Sequence, residues 1–151
     1  MAKLKGKYRY KRKTMDAEME IDLGRFEKQY SKAQYELDSA VMEDMIPYMP
    51  MVTGQFINVT KAMSQAVAGS GKVIAAAPPF GRFLYGGKVM VGVESNSPWA
   101  KKGEKKVVTD KNLDFSTGAH PKAQAKWFDA ARRENIGRWV KQTKKNAGGG
   151  R

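Results

Sequence analysis

Between residues 15 and 46 the spacing of apolar side chains switches from two to three-and-four. Met15, Ala17, Met19, Ile21 and Leu23 alternate with Asp16, Glu18, Glu20 and Asp22. Successive side chains of an extended chain point to opposite faces, so the alternation predicts a strand over residues 15–23 with one apolar and one acidic face. Immediately afterwards Phe26, Tyr30, Ala33, Leu37, Ala40, Val41 and Met45 form one apolar stripe, which predicts a helix over residues 25–46. Asp22 stands where a side chain caps the helix start. Pro47 ends the helix, because proline disfavours helical backbone in the residue before it. A strand running straight into a long helix points to an α+β chain.

The punctuation after Pro47 supports that class. Residues 47–54 hold two prolines and then Thr53-Gly54, a rigid linker followed by a good helix start. Phe56, Val59, Met63 and Val67 predict a second helix over residues 54–67, stopped by Gly69-Ser70-Gly71. Residues 72–77 and 88–93 predict two strands. They flank Pro78-Pro79 and a short aromatic turn, Phe80 to Tyr85, closed by Gly86-Gly87. Strand, tight connector and strand suggest an antiparallel pair. Residues 94–118 read as a long loop or exposed hairpin with Val107, Val108, Leu113 and Phe115 as its anchors. Helical spacing returns from about His120 to Lys145, with Ala123, Trp127, Phe128, Ala131, Ile136, Trp139 and Val140 on one face. Pro121 suits the first turn and the late lysines suit the negative end of the helix dipole. The expected architecture is therefore α+β. A small curved antiparallel sheet packs against a long N-terminal helix and a C-terminal helix. A basic arm occupies residues 1–14, one domain residues 15–145, and a disordered Gly-rich tail residues 146–151.

Charge enters the argument through its distribution. The chain of 151 residues carries a formal charge of +13. Residues 1–13 contribute +7, residues 14–50 contribute −6, residues 51–100 contribute +3 and residues 101–151 contribute +9. Lys3, Lys5, Lys7, Arg9, Lys11, Arg12 and Lys13 are interleaved with Tyr8 and Tyr10. Three readings fit: a polyanion-binding arm, a solvated tail, or a basic arm on one subunit meeting the acidic segment of a neighbour.

Chemistry is sparse. The chain has no cysteine and one histidine, His120. That excludes disulfides, thiolate metal sites, cysteine nucleophiles and histidine-dominated zinc sites. His120 has no acid or base partner in sequence. No apolar run approaches the roughly 20 residues that span a bilayer. No secretory pattern follows the charged N-terminus, so the default expectation is a cytoplasmic protein. Gly69-Ser70-Gly71-Lys72 is a partial P-loop, but Ala66 and Val73 stand where the motif needs Gly and Ser or Thr. Asn58-Val59-Thr60 is a glycosylation sequon without a secretory context. The carboxylates of 16–22 suit acid–base work or a hard cation in principle, though a solvated or subunit-facing strand edge accounts for them more simply. The chain reads as a binding or structural protein, with no catalytic residue, cofactor or metal expected.

Three segments carry a resemblance. They are Tyr48-Met49-Pro50-Met51-Val52-Thr53-Gly54-Gln55-Phe56, then Pro78-Pro79-Phe80-Gly81-Arg82-Phe83-Leu84-Tyr85-Gly86-Gly87-Lys88-Val89-Met90-Val91, and finally His120-Pro121-Lys122-Ala123 with Trp127-Phe128-Asp129-Ala130-Ala131. In this order they resemble the minor capsid and head–tail joining (tail completion) proteins of long-tailed double-stranded DNA phages, over roughly residues 25–140. That family typically shows P-x-x-T-G-x-L, a tyrosine-alanine-rich segment leading to Y-Y-G, and a late W-F-x-x-A helix. Phe56 stands where leucine is usual, Phe80-Gly81 replaces tyrosine-alanine, and Leu84 precedes Tyr85 where a second tyrosine is common.

The resemblance implies a structural virion protein of the neck. It would assemble in the host bacterial cytoplasm as a hexameric ring between portal side and tail, around the DNA path. Its partners would be its own copies, other neck, portal-side and tail proteins, and phage DNA, with no membrane. Pro50, Thr53, Gly54, Phe56, Tyr85, Gly86, Trp127 and Phe128 would then be fold residues. Thr53-Gly54 would open the short helix, Gly86 would take a backbone angle closed to side chains, and Trp127 and Phe128 would lock the last helix onto the sheet. Ring contacts would come from the arms, the loop 94–118 and the oppositely charged surfaces. The competing expectation is a small basic nucleic-acid-binding protein acting through the arm. A phage-associated enzyme using the carboxylates of 16–22 stands third.

Overall fold

A computed structural model of the chain describes residues 9–13, 18–22 and 24–148. Lys3, Lys5 and Lys7 of the basic arm lie outside the described residues, as do residues 149–151 of the Gly-rich tail. The chain is α+β. Among the described residues its antiparallel part consists of two separate two-stranded ribbons, β1–β2 and β3–β4. β1 (Arg9–Lys13) pairs with β2 (Glu18–Asp22), and the register sets Arg9 opposite Asp22, Lys11 opposite Glu20 and Lys13 opposite Glu18. Arg9, Lys11, Arg12 and Lys13 thus belong to a strand of their own chain. One of the three readings set these residues against the acidic segment of a neighbouring subunit; here that segment stands across from them in the same molecule.

Helix α1 (Gly24–Met45) follows, and a 3₁₀ turn, Ile46–Tyr48, takes up Pro47. Ala33, Val41, Met42 and Met45 are buried, whereas Phe26 and Tyr30, the first members of the expected stripe, are exposed. Their exposure follows from the partner's length. Helix α4 (Trp127–Asn146) runs antiparallel along α1, with Arg138 bonded to Asp44 and Asn146 bonded to Glu36. Its last turn lies level with Glu36, so the first turns of α1 extend past it. The two long helices pack on each other through a core that includes Val41, Met42, Met45, Ala130, Ala131 and Trp139.

Helix α2 (Gln55–Val67) forms where expected but presents a different face. Ile57, Thr60 and Ser64 are buried; Val59 and Met63 are exposed. The cause is the segment 72–77, predicted as a strand, which joins no sheet among the described residues. It runs along α2 instead and takes its hydrogen bonds from hydroxyls. The Ser64 Oγ accepts from the Ile74 N–H at 3.2 Å. The Thr60 Oγ1 accepts from the Ala77 N–H at 3.1 Å while donating to the Phe56 carbonyl at 2.8 Å. A buried peptide N–H needs a partner, and a short polar side chain on the neighbouring helix serves as well as a strand.

Helix α3 (Gly81–Gly86) is the expected aromatic turn. It sits against segment 72–77 so closely that a Cβ on Gly81 would lie 2.7 Å from the Ala76 carbonyl carbon. Strand β3 (Lys88–Gly92) pairs antiparallel not with 72–77 but with β4 (Lys106–Asn112), so the long loop supplies the second strand of a hairpin. Val107 and Val108 do not anchor it, being 48% and 60% exposed; Leu113 and Phe115 are half-buried. Helix α4 begins at Trp127 rather than near His120. The preceding stretch is held irregular by bonds to other elements: Leu113 N–H to the Gly87 carbonyl, Gln124 N–H to Tyr48 and Lys126 N–H to Tyr85.

Candidate functional site

The three resembling segments converge on Trp127. Its side chain is fully buried, and its indole N–H donates to the Ala75 carbonyl at 2.7 Å. The Tyr85 ring meets it edge-on at 4.8 Å between centroids, and the Phe56 ring meets it edge-on at 6.0 Å. Edge-to-face contacts of this kind add about 0.5–1.5 kcal/mol each beyond burial. Trp127 therefore fastens α4 to α2, α3 and segment 72–77, where the sequence alone suggested a sheet. Phe128 turns the other way and stacks on Trp139 at 6.4 Å, and the Trp139 indole donates to Asp44 at 2.6 Å.

The remaining motif residues shape the approaches to this cluster. Pro50 is half-buried beside the buried Met49. Gly54 is the residue before α2, with a left-handed φ of 76°, and its carbonyl accepts from Asn58 N–H. The Thr53 Oγ1 accepts a long 3.4 Å bond from Gln55 N–H. Gly86 does not have the role expected of it. It ends α3 without a positive φ, and a Cβ there meets nothing within 4 Å. The neighbouring Gly87 is the constrained one: its φ is 69°, and a Cβ would overlap the Ala125 methyl. Its N–H caps α3 on the Phe83 and Leu84 carbonyls.

The turn that resembled a P-loop is filled from within. Asp38, buried on α1, accepts from Gly69 N–H at 2.8 Å and Gly71 N–H at 3.0 Å through one carboxylate oxygen, and from Gln34 Nε2 at 2.7 Å through the other. The amides that would face a phosphate face this carboxylate. A lone acid inside an apolar helical stripe was the available signal for such a residue, but its partners lie 31 and 33 positions away. Likewise, Thr60 and Ser64 four residues apart on α2 signalled a polar contact without saying with what.

His120 holds structure as well, its Nδ1 lying 2.8 Å from the Met49 carbonyl. Nearby, Lys122 bonds Glu134 at 2.9 Å and reaches the Tyr48 hydroxyl at 3.4 Å. Burial, then Glu134, raises the Tyr48 phenol; bonds to Glu134 and Tyr48 raise Lys122; Tyr48 and Lys122 lower Glu134. Burial, then Asp129, raises the Tyr85 phenol. These shifts belong to contacts that close the fold around the 3₁₀ turn. Among the described residues no three His, Asp or Glu side chains are grouped to hold a metal.

Two outward features remain. An apolar groove of about 350 Å³ runs between α1 and α4, lined by Leu37, Val41, Ile136 and Val140 among others. The loop between β3 and β4 is organised by Glu104, whose carboxylate accepts from Glu94, Ser95 and Lys101 N–H and from the Ser95 hydroxyl. Bonds from the Ser95 and Lys101 amides hold its pKa at about 2. No protein-family model matches the chain, and neither a curated protein nor a solved structure matches it.

Proposed function

We propose that the chain is a structural virion protein of a tailed phage, joining head to tail as a subunit of a hexameric ring around the DNA path. The observation that carries the reading is the convergence on Trp127. Phe56 and Tyr85, from the other two segments of the resemblance, close on it at ring distances. That is the behaviour of motif residues that make a fold. The polar groups at the centre are satisfied internally, which suits a structural part whose work is done by its outer surfaces. A closed ring needs two different patches on each subunit. The α1–α4 groove and the β3–β4 hairpin, on different elements, supply candidates.

The test is immunogold electron microscopy of virions, combined with light scattering on the purified chain. Label at the head–tail junction and a ring-sized species support the proposal. A free monomer with no label at the neck refutes it. The alternative of a nucleic-acid-binding protein acting through residues 1–13 predicts binding that is lost when they are deleted. The register that sets Arg9, Lys11 and Lys13 opposite acidic positions speaks against a free basic arm.

A further inference from the structure

We infer that the loop between β3 and β4 is a preformed contact for single-stranded nucleic acid, with Trp99 as a stacking platform and Lys101, Lys102 and Lys105 as phosphate partners. Trp99 is 88% exposed, whereas Trp127 and Trp139 are buried. A loop that merely spans two strands has no need to hold an indole in water. This one is held in shape by several bonds. Glu104 gathers three backbone amides and a hydroxyl, the Ser97 hydroxyl accepts from Trp99 N–H at 3.1 Å, and Lys106 Nζ donates to the Pro98 carbonyl at 2.7 Å. Order of this kind lowers the entropy lost on binding.

The chemistry around the ring selects the partner. Lys101, Lys102 and Lys105 are exposed within six residues of Trp99. The loop's two carboxylates are Glu94, which is exposed, and Glu104, which is turned onto the loop's own amides. The cores of protein–protein interfaces are depleted in lysine, so an indole meant for a protein pocket is poorly served by this setting. An aromatic face among lysines is the arrangement that takes bases by stacking and phosphates by charge. The inference does not depend on the ring, because a single copy carries the whole surface.

The experiment is a fluorescence titration of the full chain with fifteen-nucleotide oligothymidylate and, in a second arm, oligouridylate. Quenching of the solvent-exposed tryptophan emission is expected, with a salt slope near −2 for about three released counterions. Preference between the arms separates DNA from RNA as the source. Trp99→Ala should weaken binding by roughly 5- to 150-fold, the range for one lost base stack. Lys101→Glu with Lys102→Glu should weaken it further and flatten the salt slope. Near-UV circular dichroism from the buried Trp127 and Trp139 checks that the variants fold. The inference is overturned by absence of quenching at low salt. It is equally overturned if Trp99→Ala binds as the parent does, or if Trp99 responds to protein concentration and not to oligonucleotide.

Discussion

Replacing Gly87 by alanine sets two costs against a fold that otherwise keeps every bond. The backbone there has φ of 69°, and left-handed backbone costs an L-residue about 1–2 kcal/mol. The new methyl overlaps that of Ala125, and overpacking of a filled site costs about 1–3 kcal/mol. The sum is about 2–5 kcal/mol, which at roughly 2–4 °C per kcal/mol for a chain of this size lowers Tm by about 4–20 °C. The adjacent Gly86→Ala should go the other way. Its φ is not positive and its Cβ meets nothing, so it gains about 0.4–1 kcal/mol from a less flexible unfolded chain. Differential scanning calorimetry of both variants, with Gly87→Ala/Ala125→Gly as a third, reads the contrast. The double variant should recover the overlap part and keep the backbone part. Equal losses at the two positions, or no recovery in the double variant, would falsify the assignment of the strained turn to Gly87.

Other consequences are open to direct measurement. Trp127→Phe leaves the Ala75 carbonyl without its indole donor and opens a cavity beside Phe56 and Tyr85; urea unfolding should show a loss of about 2–4 kcal/mol at unchanged slope. Asp38→Ala removes the acceptor for the Gly69 and Gly71 amides and should cost about 2–4 kcal/mol, with Asp38→Asn costing less, both read by the same unfolding assay. Glu104 has its pKa lowered from 4.5 to about 2, so the unfolded loop binds more protons between those values. The carboxylate's contribution is therefore complete above pH 4.5, falls as the solution is acidified, and is gone below about pH 2. Protection factors at the Ser95 and Lys101 amides, taken relative to intrinsic exchange at each pH, should follow that course, and Glu104→Gln should remove their fall between those pH values.

Much of the fold is legible locally. The alternation before Leu23 and the stripe after it mark a strand and a helix, and β2 and α1 occupy those positions. Glycine pairs and prolines mark the ends of α2 and α3. The misread elements share a cause. Residues 72–77 have strand composition, but two hydroxyls of α2 reach them first. Residues 120–126 have helical spacing, but the Gln124 and Lys126 amides are drawn to the Tyr48 and Tyr85 carbonyls. Val59 and Met63 make a stripe on α2, yet the face that packs carries Thr60 and Ser64. In each case a distant partner overrode a local preference, and local periodicity carries no information about distant partners.

By itself the sequence determined the α+β class, the two long helices, the aromatic turn and the placing of Trp127 among the residues that hold the molecule together. Periodicity, proline and glycine act within a few residues of where they stand. Tertiary structure alone decided that the strands form two ribbons instead of one sheet. It also decided that Gly87 rather than Gly86 bears the strained turn, and that Asp38 occupies the turn resembling a phosphate loop. Tertiary structure again decided that Trp99 is the tryptophan left in water. Those outcomes depend on which groups arrive from tens of residues away to satisfy a hydrogen bond or fill a space, and packing settles that only once the whole chain has folded.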